Sequence, residues 1–109
     1  MPDKKQAAFQ ELVDRILNGE GRASTAQRAQ AFDNTPISPS VDALIGKVVA
    51  RPAEITAADV AAARTAVGTE DELFELVVCA AVGQSARLYE AGLSALAEAT
   101  GDEGPAHAS

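Results

Sequence analysis

The chain has 109 residues, of which 47% are hydrophobic and 23% charged, the balance of one ordinary globular domain. Its 16 acidic residues outnumber 9 basic ones, giving a net charge of −7, which disfavours nucleic acid and anionic membrane surfaces as partners. No apolar run approaches the roughly 18–20 residues that would cross a bilayer, and the single cysteine, Cys79, excludes an internal disulfide.

With one unpaired cysteine and a start that leads into an amphipathic segment rather than an apolar signal core, the expected compartment is the cytoplasm. Aromatic residues make up only 4%, tryptophan is absent, and there are 24 alanines. Such a composition favours closely packed helices over a sheet, because strands use β-branched and aromatic side chains. A single copy of this size buries only about two thirds of its unfolded surface.

In chain order, residues 4–18 predict a first helix, with Phe9, Leu12, Val13, Ile16 and Leu17 at three- and four-residue spacing. Asp3 stands at the N-cap position, Asn18-Gly19 is a stop, and Gly19-Glu20-Gly21 is a joint. A short second helix runs from Ser24 to about Phe32, with Ala26 and Ala29 allowing close approach. Asn34 to Pro39 is a loop, because two prolines and small polar residues disfavour regular structure. A third helix covers about Pro39 to Ala50; Pro39 suits its first turn and Pro52 prevents continuation.

Thr56-Ala57-Ala58-Asp59 and Thr69-Glu70-Asp71-Glu72 both match a capping box, a Thr hydroxyl followed three residues later by an acid. They predict a fourth helix over about 57–66, stopped at Gly68, and a fifth that starts at Glu70. The helical pattern then continues to about Ala99, and Gly83 near its middle predicts a kink or two consecutive helices. Leu73 to Val82 is apolar almost all round and needs enclosure by other helices or another subunit. Residues 1–100 thus form one helical domain, and 101–109 a polar, glycine-rich tail expected to be disordered.

Groups able to do chemistry are few. The only histidine, His107, lies in the tail, which cannot hold a catalytic base in place. No Ser-His-Asp or Cys-His machinery is available, and one cysteine without an ordered histidine does not make a zinc site, so no metal is expected. No phosphate-binding glycine motif is present. Cys79, inside Leu76-Val77-Val78-Cys79-Ala80-Ala81-Val82, reads as a small buried hydrophobe; as a peroxide-reactive thiol it would need a cation and solvent access.

Glu75 interrupts the apolar half-helix and would there have its pKa raised or take a cationic partner, with Arg64, Arg28 and Arg87 as candidates. It is either a structural or exposed acid, or a proton-transfer group. Arg87 and Glu90 are three residues apart and can pair, and Tyr89 either packs or lines a pocket. If the helix breaks at Gly83, the amides of Gln84 and Ser85 open a new N-terminus suited to an anion.

From Thr69 to Ala81 the sequence resembles the carboxymuconolactone decarboxylase-like and alkylhydroperoxidase AhpD-like helical family, in which an acidic helix start leads into a Glu-Leu-Val apolar helix and then a functional turn. Val41 to Val49, Ile55 to Val60 and Ala66-Val67-Gly68 resemble that family's lead-in, so the likeness covers about residues 22–99. It implies an all-α, AhpD-like bundle of five to six helices, with residues 1–21 as an added helix and joint, completed by oligomerisation as a trimer or hexamer. Redox members carry a CxxC pair and a downstream histidine just after the Glu-bearing helix. Here Gly83 to Leu93 contains neither, Cys79 lies too early, and Val82 stands where its CxxC partner would be. Glu75 alone carries over, as the counterpart of the family's helix carboxylate.

The sequence therefore points to a scaffold without the redox dithiol and histidine: a non-redox binding or accessory module with no cofactor, acting with copies of itself or a partner protein. Two alternatives stay open. One is an enzyme on a small anionic substrate, with Glu75 as proton-transfer group and Arg87, Tyr89, Gln84 and Ser85 binding the ligand. The other is a weak peroxidase using Cys79.

Overall fold

The computed structural model describes residues 4–101, which are helical with short connections and contain no strand. Five helices follow in order: α1 (Lys4–Asn18), α2 (Thr25–Phe32), α3 (Pro39–Ala50), α4 (Ala57–Val67) and α5 (Glu70–Thr100). A single 3₁₀ turn, Pro52–Glu54, links α3 to α4 where Pro52 ends the α-helix. The all-α expectation and the order of the elements agree with this. Asp3, His107 and the expected tail beyond Gly101 lie outside the described residues.

Caps fix several boundaries. The Ser24 hydroxyl accepts the amide of Gln27 at the start of α2. At α4 the capping box is complete: Thr56 Oγ1 accepts the Asp59 amide at 3.2 Å, and Asp59 Oδ2 accepts the Thr56 amide at 2.8 Å. The same carboxylate pairs with Lys47 of α3 at 2.8 Å. The Lys47 bond, followed by the Thr56 amide and hydroxyl, lowers the Asp59 pKa to about 2. At α5 the box is one-sided. Thr69 accepts the Glu72 amide at 3.1 Å but donates its hydroxyl to the Glu72 carboxylate at 2.9 Å.

The core is built from small and branched aliphatic side chains. Ala31, Val41, Leu44, Ile45, Ala63, Leu73, Leu76, Cys79 and Ala80 are buried, with Ala23 at the joint. One face of α5 lies on α2, α3 and α4, and α1 leans on α2 and α5 without a fully buried residue. The molecule is elongated, 56 × 30 × 19 Å, because α5 outruns the bundle. A 31-residue helix is about 46 Å long.

The expected division of α5 at Gly83 is corrected: one helix runs from Glu70 to Thr100. Gly83 is buried against the end of α2, and a Cβ there would overlap the carbonyl group of Phe32. The glycine is needed for a close helix approach, not for a turn. The enclosure expected for Leu73 to Val82 is half met. The inner face is buried, whereas Phe74 is 69% exposed and Ala81 is exposed.

Candidate functional site

The densest polar arrangement lies where the α1–α2 joint crosses the first half of α5. Gly21 lacks the Cβ that would crowd the Glu75 carboxylate, 2.8 Å from Oε1. The chain can therefore turn its next two amides onto that group. Glu75 Oε1 accepts from the amides of Ala23 at 2.8 Å and Arg22 at 2.9 Å, and Oε2 shares the Arg22 amide at 2.9 Å. Consecutive amides converging on an anion form a nest.

Burial works to raise the Glu75 pKa. The Ala23 and Arg22 amides, with the charges of Arg28 and Arg22, outweigh it and hold the carboxyl below its usual range. The sequence suggested a raised pKa or a cationic partner. The partner is backbone, and Arg64, Arg28 and Arg87 form no ion pair with Glu75 among the described residues.

Arg28 sits one layer deeper and is only 6% exposed. Its guanidinium donates to the carbonyls of Ala23 at 3.1 Å, Ile16 at 3.2 Å and Gly19 at 2.7 Å. It satisfies the Ile16 and Gly19 carbonyls, which the end of α1 leaves without helical partners, and ties them to the Ala23 carbonyl in the joint. Cys79 lies alongside, 1% exposed, with its thiol 3.8 Å from the Ile16 carbonyl oxygen. Burial raises its pKa, Glu75 adds to the rise, and Arg28 opposes it. A small cavity of about 150 Å³ is lined by Arg15, Arg28, Glu75 and Cys79 among others.

The remaining sequence candidates lie elsewhere. Arg87 donates to the Phe32 carbonyl at 2.8 Å and to Gln84 Oε1 at 3.3 Å, closing the end of α2. Ser85 is exposed, and the Gln84 and Ser85 amides belong to the interior of a continuous helix, so no anion-binding helix start forms there. Tyr89 stacks obliquely on Phe9, ring centroids 6.0 Å apart, in a cleft of about 280 Å³ between α1 and α5 that also includes Phe32 and Leu93. Glu75 and Arg87 are about 18 Å apart along the axis of α5. Glu75, Arg87 and Tyr89 do not meet in one cavity.

What sequence reasoning missed is the pair of amides that donate to the Glu75 carboxylate. Gly-Glu-Gly read as a joint, and nothing in its letters says that the two following amides point at a helix 50 residues on. No protein family, curated protein or solved structure matches this chain. Among the described residues no cluster of three metal-ligating side chains occurs, and no helix is long and apolar enough to cross a membrane.

Proposed function

We propose that this chain is a non-redox binding or accessory module on an AhpD-like helical scaffold, acting as a homo-oligomer, trimer or hexamer, or with a partner protein in the cytoplasm. The observation that carries the reading is the occupation of Glu75. Both oxygens of the only family-like carboxylate are taken by the Arg22 and Ala23 amides. A carboxylate held in this way, with its pKa lowered, is a poor general base near neutral pH. Cys79 supports the same reading, since a buried thiol with a raised pKa is a poor nucleophile.

Exposed apolar surface adds to the argument. Phe74, Leu88 and Leu96 are each at least 60% exposed along α5, apolar surface that a partner can cover.

The test is turnover of organic hydroperoxides and of carboxylated lactones by the purified protein. The expected result is no turnover above buffer. Turnover abolished by Glu75→Gln or Cys79→Ser would overturn the reading and restore an enzyme.

A further inference from the structure

Starting at Phe74, alternating steps of four and three residues along α5 reach Val78, Ala81, Ser85, Leu88 and onward to Ala99 without meeting a charge. This is a heptad seam. It lies on the side of α5 away from the buried Leu76, Ala80 and Gly83. Phe74 is 69% and Leu88 62% exposed, Val78 is half-buried, and the other seam positions are exposed. Among the described residues this face is open except at Val78, which shares a small cavity with Arg15 and Ile16 of α1.

We propose that the seam is the contact face for a second copy of this chain, whose α5 lies antiparallel on it about a two-fold axis between Ala86 and Arg87. The inference rests on the homo-oligomer half of the preceding reading, in its even-numbered form and not as a trimer, and names the surface and the partner. Size complementarity decides the occupant. With the axis at that point, every seam residue meets another seam residue, and the larger side chains all meet small ones. Phe74 faces Ala99, Val78 faces Ala95, Leu88 faces Ser85, and Ala81 faces Gly92. An isologous interface requires such self-complementarity, because each pair occurs twice. A parallel pairing would set Phe74 against Phe74 and leave Gly92 against Gly92.

Area agrees. The seam spans roughly 37 Å of a helix about 10 Å wide, a footprint on the order of 400 Å² per copy and 800 Å² for the pair. The open groove beside Phe74, lined by Leu44, Val48, Ile55 and Val60 with Glu70 and Asp71 also on its wall, would in this pairing lie next to the end of the partner helix. Its contribution brings the interface to the roughly 1,000 Å² that a specific contact needs.

Directed disulfides in the full-length protein test the register. In the antiparallel pair, residue 81 of one copy meets residue 92 of the other, whereas 81 and 92 of one helix are about 16 Å apart, beyond disulfide reach. The double variant Ala81→Cys/Gly92→Cys should oxidise to a covalent dimer, and each single variant should remain uncrosslinked. Native mass should be twice 11.2 kDa or an even multiple of it. Leu88→Glu, outside the buried core, should halve that mass with the circular-dichroism helix signal unchanged.

Crosslinking of either single variant, a trimeric mass, or a monomer at hundreds of micromolar would overturn the proposal. A dimer insensitive to Leu88→Glu would also overturn it. None of these outcomes bears on turnover, and turnover abolished by Glu75→Gln would sink the module reading while leaving the pairing untouched.

Discussion

Gly83 lies beneath the carbonyl group of Phe32, so close that a methyl group at position 83 would overlap it. One turn further on, Arg87 donates to the same oxygen. The end of α2 is thereby pinned to the middle of α5.

Replacing a mid-helix glycine by alanine ordinarily gains about 0.5–1 kcal/mol. At Gly83 the sign should reverse, because backbone must move to admit the methyl group, at a cost of roughly 1–3 kcal/mol. Gly46→Ala in α3 is the control, since nothing lies within 4 Å of its Cβ position. Urea midpoints should fall for Gly83→Ala and rise for Gly46→Ala. A rise for both would mean that α2 does not approach α5 this closely.

The same glycine shows how far the sequence could be read. The starts of α4 and α5 were legible because caps are local: Thr56 and Thr69 each bond an amide three residues on. Apolar spacing likewise placed α1 and α3. Gly83 was ambiguous because a glycine that breaks a helix and one that admits a neighbour look alike until the neighbour is known. Glu75 failed for the same reason. Its environment was judged from adjacent apolar letters, whereas its bonds reach the joint at Arg22 and Ala23.

Glu75 should therefore be a stability residue with a pH signature. Glu75→Gln keeps one acceptor oxygen, removes the negative charge and turns an NH2 group towards the Arg22 amide, which should cost about 1–2 kcal/mol at pH 7. The pKa of Glu75 is lowered in the fold. Its stabilisation is fully present above the usual glutamate range and is lost as pH falls through the lowered value. The gap in urea midpoint between the wild type and Glu75→Gln should hold from pH 7 to pH 5, then shrink on further acidification. A gap that widened in acid would contradict the nest.

Arg28 supports the joint from below. Arg28→Met keeps the apolar stem but leaves the carbonyls of Ile16, Gly19 and Ala23 without their donor. The expected loss is roughly 2–3 kcal/mol. Because α1 and the joint share these bonds, amide hydrogen exchange should quicken first in α1 and around residues 19–23, with Leu76 and Ala80 in α5 still protected. Uniform loss of protection would mean that α1 does not open as a separate unit.

Cys79 gives a chemical reading of the same region. Its thiol is 1% exposed and its pKa is raised by burial, so a disulfide reagent should meet little thiolate and little access. At pH 8 the native thiol should react on the order of 100-fold more slowly than in urea-unfolded protein. Arg28→Met should speed the native reaction even though it removes the cation beside the sulfur, because the gain in access from the loosened joint exceeds the loss of thiolate stabilisation. If the variant reacted more slowly than the wild type, the charge of Arg28 and not burial would be setting the reactivity of Cys79. The case for a working thiol would then return.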